Sequence, residues 1–421
     1  MINLLIKKAK ELNISLEVFA KTENSHEISV LNHTLEKFES SSITNYKIKA
    51  LCNGKNVVIE TDHICVDDII RVIQEASEIT DNDDKDLLAS GSICSEVDED
   101  CDLDYRQITD DLLSLDDLKG KYSELNSMSL FFGHYYEIMD IVNEKASFKD
   151  ANYYNYFYGE IVVKDQEEVR TAYFNFVFKE YDFDEIKRKL VHRIEETIRS
   201  IHCVSARTGR YSIILKNRCV YKILNTFADM FSAELIQKKQ SVLTNQFEQQ
   251  IFSPKITIVE DPINDCLVGK RLFDDEGVKT TYKEMVKDGK FISKLYHNQS
   301  ALKENGKSTG NSYGVRNMYI VPGNKSEYEL LKILDEGIVI TEIEGLHAGV
   351  NKLTGKISLQ ANGYYVKDSK WVKALNMIVL ATDLFELFGN VKEIGNDLEF
   401  FSKIGGAPSL LIENITIVGK E

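Results

Sequence analysis

The chain has no apolar run near the ~18 residues that a membrane-spanning helix needs. Its start, MINLLIKKAKELN, reads as an amphipathic helix with lysines between Ile2, Leu5, Ile6, Ala9 and Leu12. It lacks the apolar core and small-residue cleavage site of a signal peptide, so a cytoplasmic location is expected. Positive charge is also short. Fifty-one basic residues face 67 acidic ones, a formal net charge of -16. That balance argues against a general nucleic-acid binder, which needs a basic footprint on phosphates. The seven cysteines are odd in number, irregularly spaced and free of any CxxC, the pattern of scattered reduced thiols.

Chemistry-bearing motifs are scarce as well. Among eight histidines, no two lie three, four or five residues apart, so no helical turn presents a ready zinc pair. There is no GxSxG elbow, no Walker motif and no dinucleotide fingerprint. The four prolines, Pro254, Pro262, Pro322 and Pro408, all fall in the second half, together with most glycines. The two halves therefore differ in kind.

A length of 421 residues suggests two domains. Residues 1–205 read as a two-layer α/β domain. Strands are predicted over Ser15 to Lys21, Glu27 to Ser41 and Tyr46 to Thr61, with an Asn53-Gly54 hairpin turn. Helices are predicted over Val66 to Ile79 and Phe183 to Cys203, each with an apolar stripe at helical spacing. Glu78 to Asp117 is strongly acidic and reads as a solvated connector. Its spacing lacks the glycine and terminal glutamate of a calcium loop. Tyr153 to Phe178 is aromatic-rich and strand-like, and cross-strand packing is the common use of such residues.

Residues 206–421 read as a mainly β domain, a twisted sheet or partial barrel, with one prominent helix over Asn217 to Lys238. The fold class is α+β. Two stretches stand out as candidate sites. Thr341 to Tyr365 holds Gly345, His347, Gly349, Asn351, Thr354 and Gly355, where glycines mark turns or close backbone approach. Asp274-Asp275-Glu276 precedes Gly277 and reads as either a carboxylate cluster or a hydrogen-bonded turn.

Several segments, in order, resemble the TldD/PmbA family, and specifically its PmbA (TldE) branch. They are Phe273 to Val278, Asp288-Gly289, Ser300-Ala301, Ser308 to Asn311, Gly345 to Asn351, Thr354-Gly355, Ser358, Ala361, Gly363, Gly395 to Glu399 and Ala407 to Ser409. Thr382-Asp383 departs from the Gly-Asn expected there. The resemblance implies a pair of related subunits, one of them a zinc peptidase carrying HExxxH and a cysteine ligand. Here the corresponding helix reads Leu224 to Asp229, and Gly405-Gly406 stands where the thiolate would be.

The resemblance thus implies a non-catalytic subunit with no metal or cofactor of its own. Zinc is expected in a TldD-like partner, and the substrate is a peptide or unfolded protein held in a cleft. Gly345, His347, Gly349, Asn351, Thr354 and Gly355 are the expected peptide wall, and Asp274, Asp275 and Gly277 an expected structural turn. No nucleic acid or membrane is expected as a partner. Two alternatives stay open: a hydrolase using His347 or Asp274-Asp275-Glu276, and a stand-alone peptide-binding homodimer, a state the isolated chain could also adopt.

Overall fold

The structure is a computed structural model that describes residues 1–80, 88–94 and 101–420. Its first half is built on one large sheet. Two very long strands, Ser15–Leu31 and Leu125–Val142, pair antiparallel at its centre. Thr34–Cys52 and Lys55–Thr61 extend it on one side. Ala146–Asp165 and Glu168–Phe178 extend it on the other.

The sheet has an apolar layer on its helical face. Leu5 and Ala9 of the first helix and Ile69, Ile70 and Ile73 of Val66–Ile79 pack on Val18, Ile48 and Ala50. Ile186, Leu190 and Ile194 of Phe183–Arg199 pack on Phe132, Phe157 and Ile161. This is helical periodicity meeting strand alternation, each apolar face covering the other.

The first hairpin differs from expectation. Glu27 to Ser41 is not one strand. It turns at Asn32-His33, where φ is 46° and 62°. A two-residue turn of this hand needs positive φ at both centres. Asn and His tolerate that region better than most residues, so no glycine announces the turn. Asn53-Gly54, at 53° and 76°, turns where predicted.

The acidic connector is also more ordered than its composition suggests. Gly91–Cys94 lies parallel beside Ala146–Lys149. The helix Tyr105–Ser114 buries Ile108 and Leu112 in the core, and Asp104 caps it by accepting from the N–H groups of Arg106 and Gln107. Apolar residues at i and i+4 override the surrounding charge. The clusters Asp81 to Asp84 and Asp98 to Asp100 lie outside the described residues.

In the second half, Lys370–Asp383, Lys356–Lys367, Gly337–Glu344, Gly209–Leu215 and Leu410–Val418 follow one another, and the first pairs again with the last. Five strands therefore close a barrel, where the sequence suggested a twisted sheet or partial barrel. A second sheet of short strands, including Ile258–Glu260, Met318–Ile320 and Gly405–Ala407, lies beside it. The long helix expected from Asn217 to Lys238 is broken into Asn217–Thr226, a tight turn over Ala228–Phe231, and Ala233–Gln237. Ser232 causes the break. It is extended, bridges to Leu295, and its hydroxyl accepts from the N–H of Leu235 as a new cap.

A buried ionic cluster joins the halves. Arg193 and Glu196 project from Phe183–Arg199. They meet Arg218 and Lys222 of Asn217–Thr226 and Glu342 of the barrel. Burial would raise the carboxyl of Glu196, but Arg218 and Arg193 outweigh it and hold it at about 2. Unfolded glutamate titrates near ~4.3. The favourable linkage is therefore fully present above that value and fades as pH falls toward 2.

Two outcomes follow for stability. Below about pH 4, Glu196→Gln loses less stability with falling pH than the parent chain, by roughly 2–3 kcal/mol between pH 5 and 2 in urea titrations. Gly363→Ala places a Cβ 1.9 Å from the Val339 carbonyl inside the barrel wall. It should cost about 3 kcal/mol or prevent barrel closure, read as a lowered urea midpoint.

Candidate functional site

The stretch from Gly345 to Gly355 links barrel strands Gly337–Glu344 and Lys356–Lys367. It opens with Gly345 at φ 79°, whose carbonyl accepts from Ala348 and Gly349 to form a single helical turn. Gly349 is needed for another reason: a Cβ there would lie 2.2 Å from the Ser358 carbonyl. Asn351 then accepts from the N–H groups of Leu353 and Thr354, an Asx turn that Gly355 closes at φ 75°. The structure thus brings the six expected wall residues into one surface loop. Four of them, Gly345, His347, Asn351 and Thr354, are exposed.

His347 sits on the exposed turn with no hydrogen bond or ion pair among the described residues. General base catalysis needs a positioned proton partner within hydrogen-bond reach. None is present among the described residues, so this geometry gives no support to a hydrolase centred on His347.

The Asp274 turn is elsewhere and shares no hydrogen-bond partner with the loop. Asp274 is fully buried. One carboxylate oxygen accepts from the N–H groups of Glu276 and Val278, and the other from Ser312. Asp275 pairs with Arg271. Gly277, at φ 70°, fits against Ala89 of the first half. Both carboxylate oxygens of Asp274 are thus engaged by backbone N–H groups. The carboxylate of Glu276 accepts from Asn298 N–H, and burial raises its pKa.

Other matched segments are also hydrogen-bond hubs. Asp397 accepts from both the N–H and the hydroxyl of Ser409, whose oxygen in turn accepts from Asn217 N–H at the start of its helix. Asn311 donates to Glu260 and to the Gly314 carbonyl. Asp383, where the local pattern departs, caps Leu384–Gly389 by accepting from Phe385 and Glu386.

The positions that the resemblance assigns to zinc do not fit a metal. Leu224 is fully buried in the apolar core of the barrel region with Phe227, Phe231 and Leu387. Asn225 stands at the position that the resemblance gives to the base. Asp229 accepts an ion pair from Lys352 of the loop at 3.0 Å, so its nearest cation is a side chain. Side chains at Gly405 and Gly406 would sit 1.9 and 2.2 Å from the carbonyls of Met318 and Glu399. A thiolate cannot be added there without moving two strands. Among the described residues, no group of three or more His, Cys, Asp or Glu is placed to hold a metal ion.

One arrangement was not foreseen. Cys101 lies 3.9 Å from Nδ1 of buried His134, which is 2.8 Å from Oδ1 of Asn155. Asn155 donates its amide to the Lys179 carbonyl at 2.6 Å, fixing its oxygen toward the imidazole. Nδ1 must then carry the proton and cannot accept one from the thiol. A Cys-His-Asn nucleophile is not assembled.

Sequence reading also missed the Lys352–Asp229 pair and the outer edge of the long first hairpin. Residues 34–45 pair with one neighbour only among the described strands, and Leu35, Phe38 and Ile43 there are 44%, 53% and 55% exposed. Without knowledge of the Asn32-His33 turn, no signal marked that segment as an edge.

The family's sequence model, described as the PmbA/TldA metallopeptidase C-terminal domain, matches residues 208–419. The chain belongs to the PmbA/TldD family. It is 25% identical over 430 residues to a metalloprotease PmbA homolog of Buchnera aphidicola, covering 98% of this chain and 95% of the relative. It is 29% identical to metalloprotease PmbA of Escherichia coli O157:H7 over 213 residues, about half of each chain. The fold is that of TldE from Thermococcus kodakarensis, with a TM-score of 0.84 at 18% identity over 99% of this chain and all of that one. A Thermotoga maritima structure superposes with a TM-score of 0.88 at 23% identity, covering 99% of each chain.

The surface position of His347 sets a further outcome. His347→Ala should change unfolding free energy by less than about 0.5 kcal/mol. A urea titration of the variant beside the parent checks it.

Proposed function

We propose that this chain is the non-catalytic subunit of a TldD-type metallopeptidase, and that a TldD-like partner bearing HExxxH supplies the zinc. The observation that carries the reading is Leu224. An apolar, fully buried residue stands where the first ligand would be, in a chain of the PmbA/TldD family. The backbone crowding at Gly405 and Gly406 supports it independently.

In this reading the loop from Gly345 to Gly355 is a wall of the cleft that the two subunits enclose. Its exposed backbone and small residues let an extended peptide approach closely. Strand addition suits a client of varied sequence, because main-chain hydrogen bonds carry the affinity. The open edge over residues 34–45 offers such main-chain groups, with apolar side chains beside them. Isolated protein pairing through that edge would give the homodimer. Cytoplasmic proteolysis or peptide maturation is the corresponding role. The free state of all seven cysteines is compatible with a reducing compartment.

Co-expression with an HExxxH-bearing homologue tests the reading. The expected result is a stable complex with about one zinc per pair and proteolysis of an unfolded substrate. Activity should vanish when the partner's first histidine is replaced. A complex that fails to form, or stoichiometric zinc and hydrolysis by this chain alone, would sink it.

A further inference from the structure

A cavity of about 350 Å³ lies between the end of the helix Phe183–Arg199 and the outer wall of the barrel, away from the loop discussed above. That volume is at the small end of the range for ligand sites, about 300–1,000 Å³. It suits a single small molecule or one terminal residue. Its apolar side is made by Leu331, Tyr364 and Trp371. The Tyr364 and Trp371 rings meet nearly edge to face, with centroids 6.3 Å apart. Trp371, the only tryptophan, is 47% exposed although it lines a cavity. An indole left bare at a concave site is a stacking surface waiting for a body to cover it.

The charges sort the ligand further. Two carboxylates line the cavity, and both are already matched. Glu196 is held by Arg193 at 3.0 Å and by Arg218. Glu327 accepts from Lys216 at 3.0 Å. Arg199 is different: its only ion-pair contact among the described residues is Glu195 at a loose 3.9 Å, and its side chain is largely exposed. The imidazole of His192 stands about two helical turns before Ser200 on the same rim. Arg199 is therefore the least compensated charge of the cavity, which it lines together with the aromatic corner. Guanidinium prefers a planar carboxylate, which it can hold with two parallel hydrogen bonds.

We infer that this cavity binds a monocarboxylate with an aromatic or branched apolar body, the acid on Arg199 and the body against Trp371, Tyr364 and Leu331. The same chemistry is presented by a free N-acylated amino acid and by the C-terminal residue of a peptide. The inference stands apart from the peptidase-subunit reading, since none of these residues belongs to the loop or to the positions assigned to zinc.

Because Trp371 is the only tryptophan, its fluorescence reports on this cavity directly. The full chain would be titrated with N-acetyl-L-phenylalanine, with its carboxamide counterpart, and with Gly-Gly-Gly-Phe. Isothermal calorimetry on the same samples provides a readout independent of the indole. The expected result is a saturable change with the free acid, weakened about tenfold or more for the carboxamide and for Arg199→Gln. By calorimetry, Trp371→Ala should also weaken binding about fivefold or more. Equal binding of Gly-Gly-Gly-Phe supports the inference and assigns a peptide C-terminus as the source. Binding of the small acid alone supports it and assigns a free metabolite. Absence of saturable fluorescence change and heat overturns it. So does binding that is indifferent both to the carboxamide and to Arg199→Gln.

Discussion

Closure of the five-stranded barrel is the constraint on which the second half depends. The contact that closes the ring, Val379 to Ala381 against Thr416 to Val418, joins its first strand to its last. Until it forms, both edge strands expose main-chain groups, and the inward residues Leu359, Ile378, Leu380 and Ile417 lack a full set of neighbours. Closed, the ring removes those edges and fixes where everything outside it can sit. Gly363 lies against its neighbour strand with no room for a side chain, and the wall bulges beside it. The helix Asn217–Thr226 then packs with Cys219, Val220, Ile223 and Leu224 in the shared core. A residue at position 224 is therefore fixed by packing as well as by chemistry. Leucine satisfies the packing completely.

The two halves are held by a different kind of force. Arg193, Glu196, Arg218, Lys222 and Glu342 are largely buried, and each charge has at least one opposite partner. Removing one member would strand another in a poor dielectric, so such clusters favour one arrangement over its alternatives. A second clamp, Glu137 with Lys21 and Lys403, fastens the centre of the large sheet to the turn before Gly405. Burial opposes the ionised form of Glu137, and the two lysines more than reverse that, pushing its pKa far down. The surface loop at His347 and the aromatic cavity thus sit on a frame whose parts are fixed relative to one another.

Much of this was legible in the sequence, for reasons that can be named. Glycine and Asn-Gly pairs announced turns because the backbone there needs positive φ, as at Asn53-Gly54 and Asp288-Gly289. Ile186, Leu190 and Ile194 announced a helix by their period. Asn32-His33 was silent because two non-glycine residues occupy the same region of φ. The break at Ser232 was silent because its cause, a bridge to Leu295, is sixty-odd residues away. Leu125–Val142 was missed although it alternates, because Gly133-His134 and a run of aromatics blur its period. Within the site, the loop glycines were readable. Barrel closure, the Lys352–Asp229 pair and the aromatic corner at Trp371 were not, since each joins segments that only the tertiary fold brings together.

The apolar packing at Leu224 has a consequence for how the chain comes into being. Where zinc ligands lie in a domain core, binding free energy becomes folding free energy, and the polypeptide waits on metal supply. Here the core around Leu224 is completed by side chains that the chain carries itself, and Lys352 provides the cation beside Asp229. Folding of this part of the core therefore draws on side-chain packing at Leu224, in the same step that seats the helix Asn217–Thr226 against the barrel.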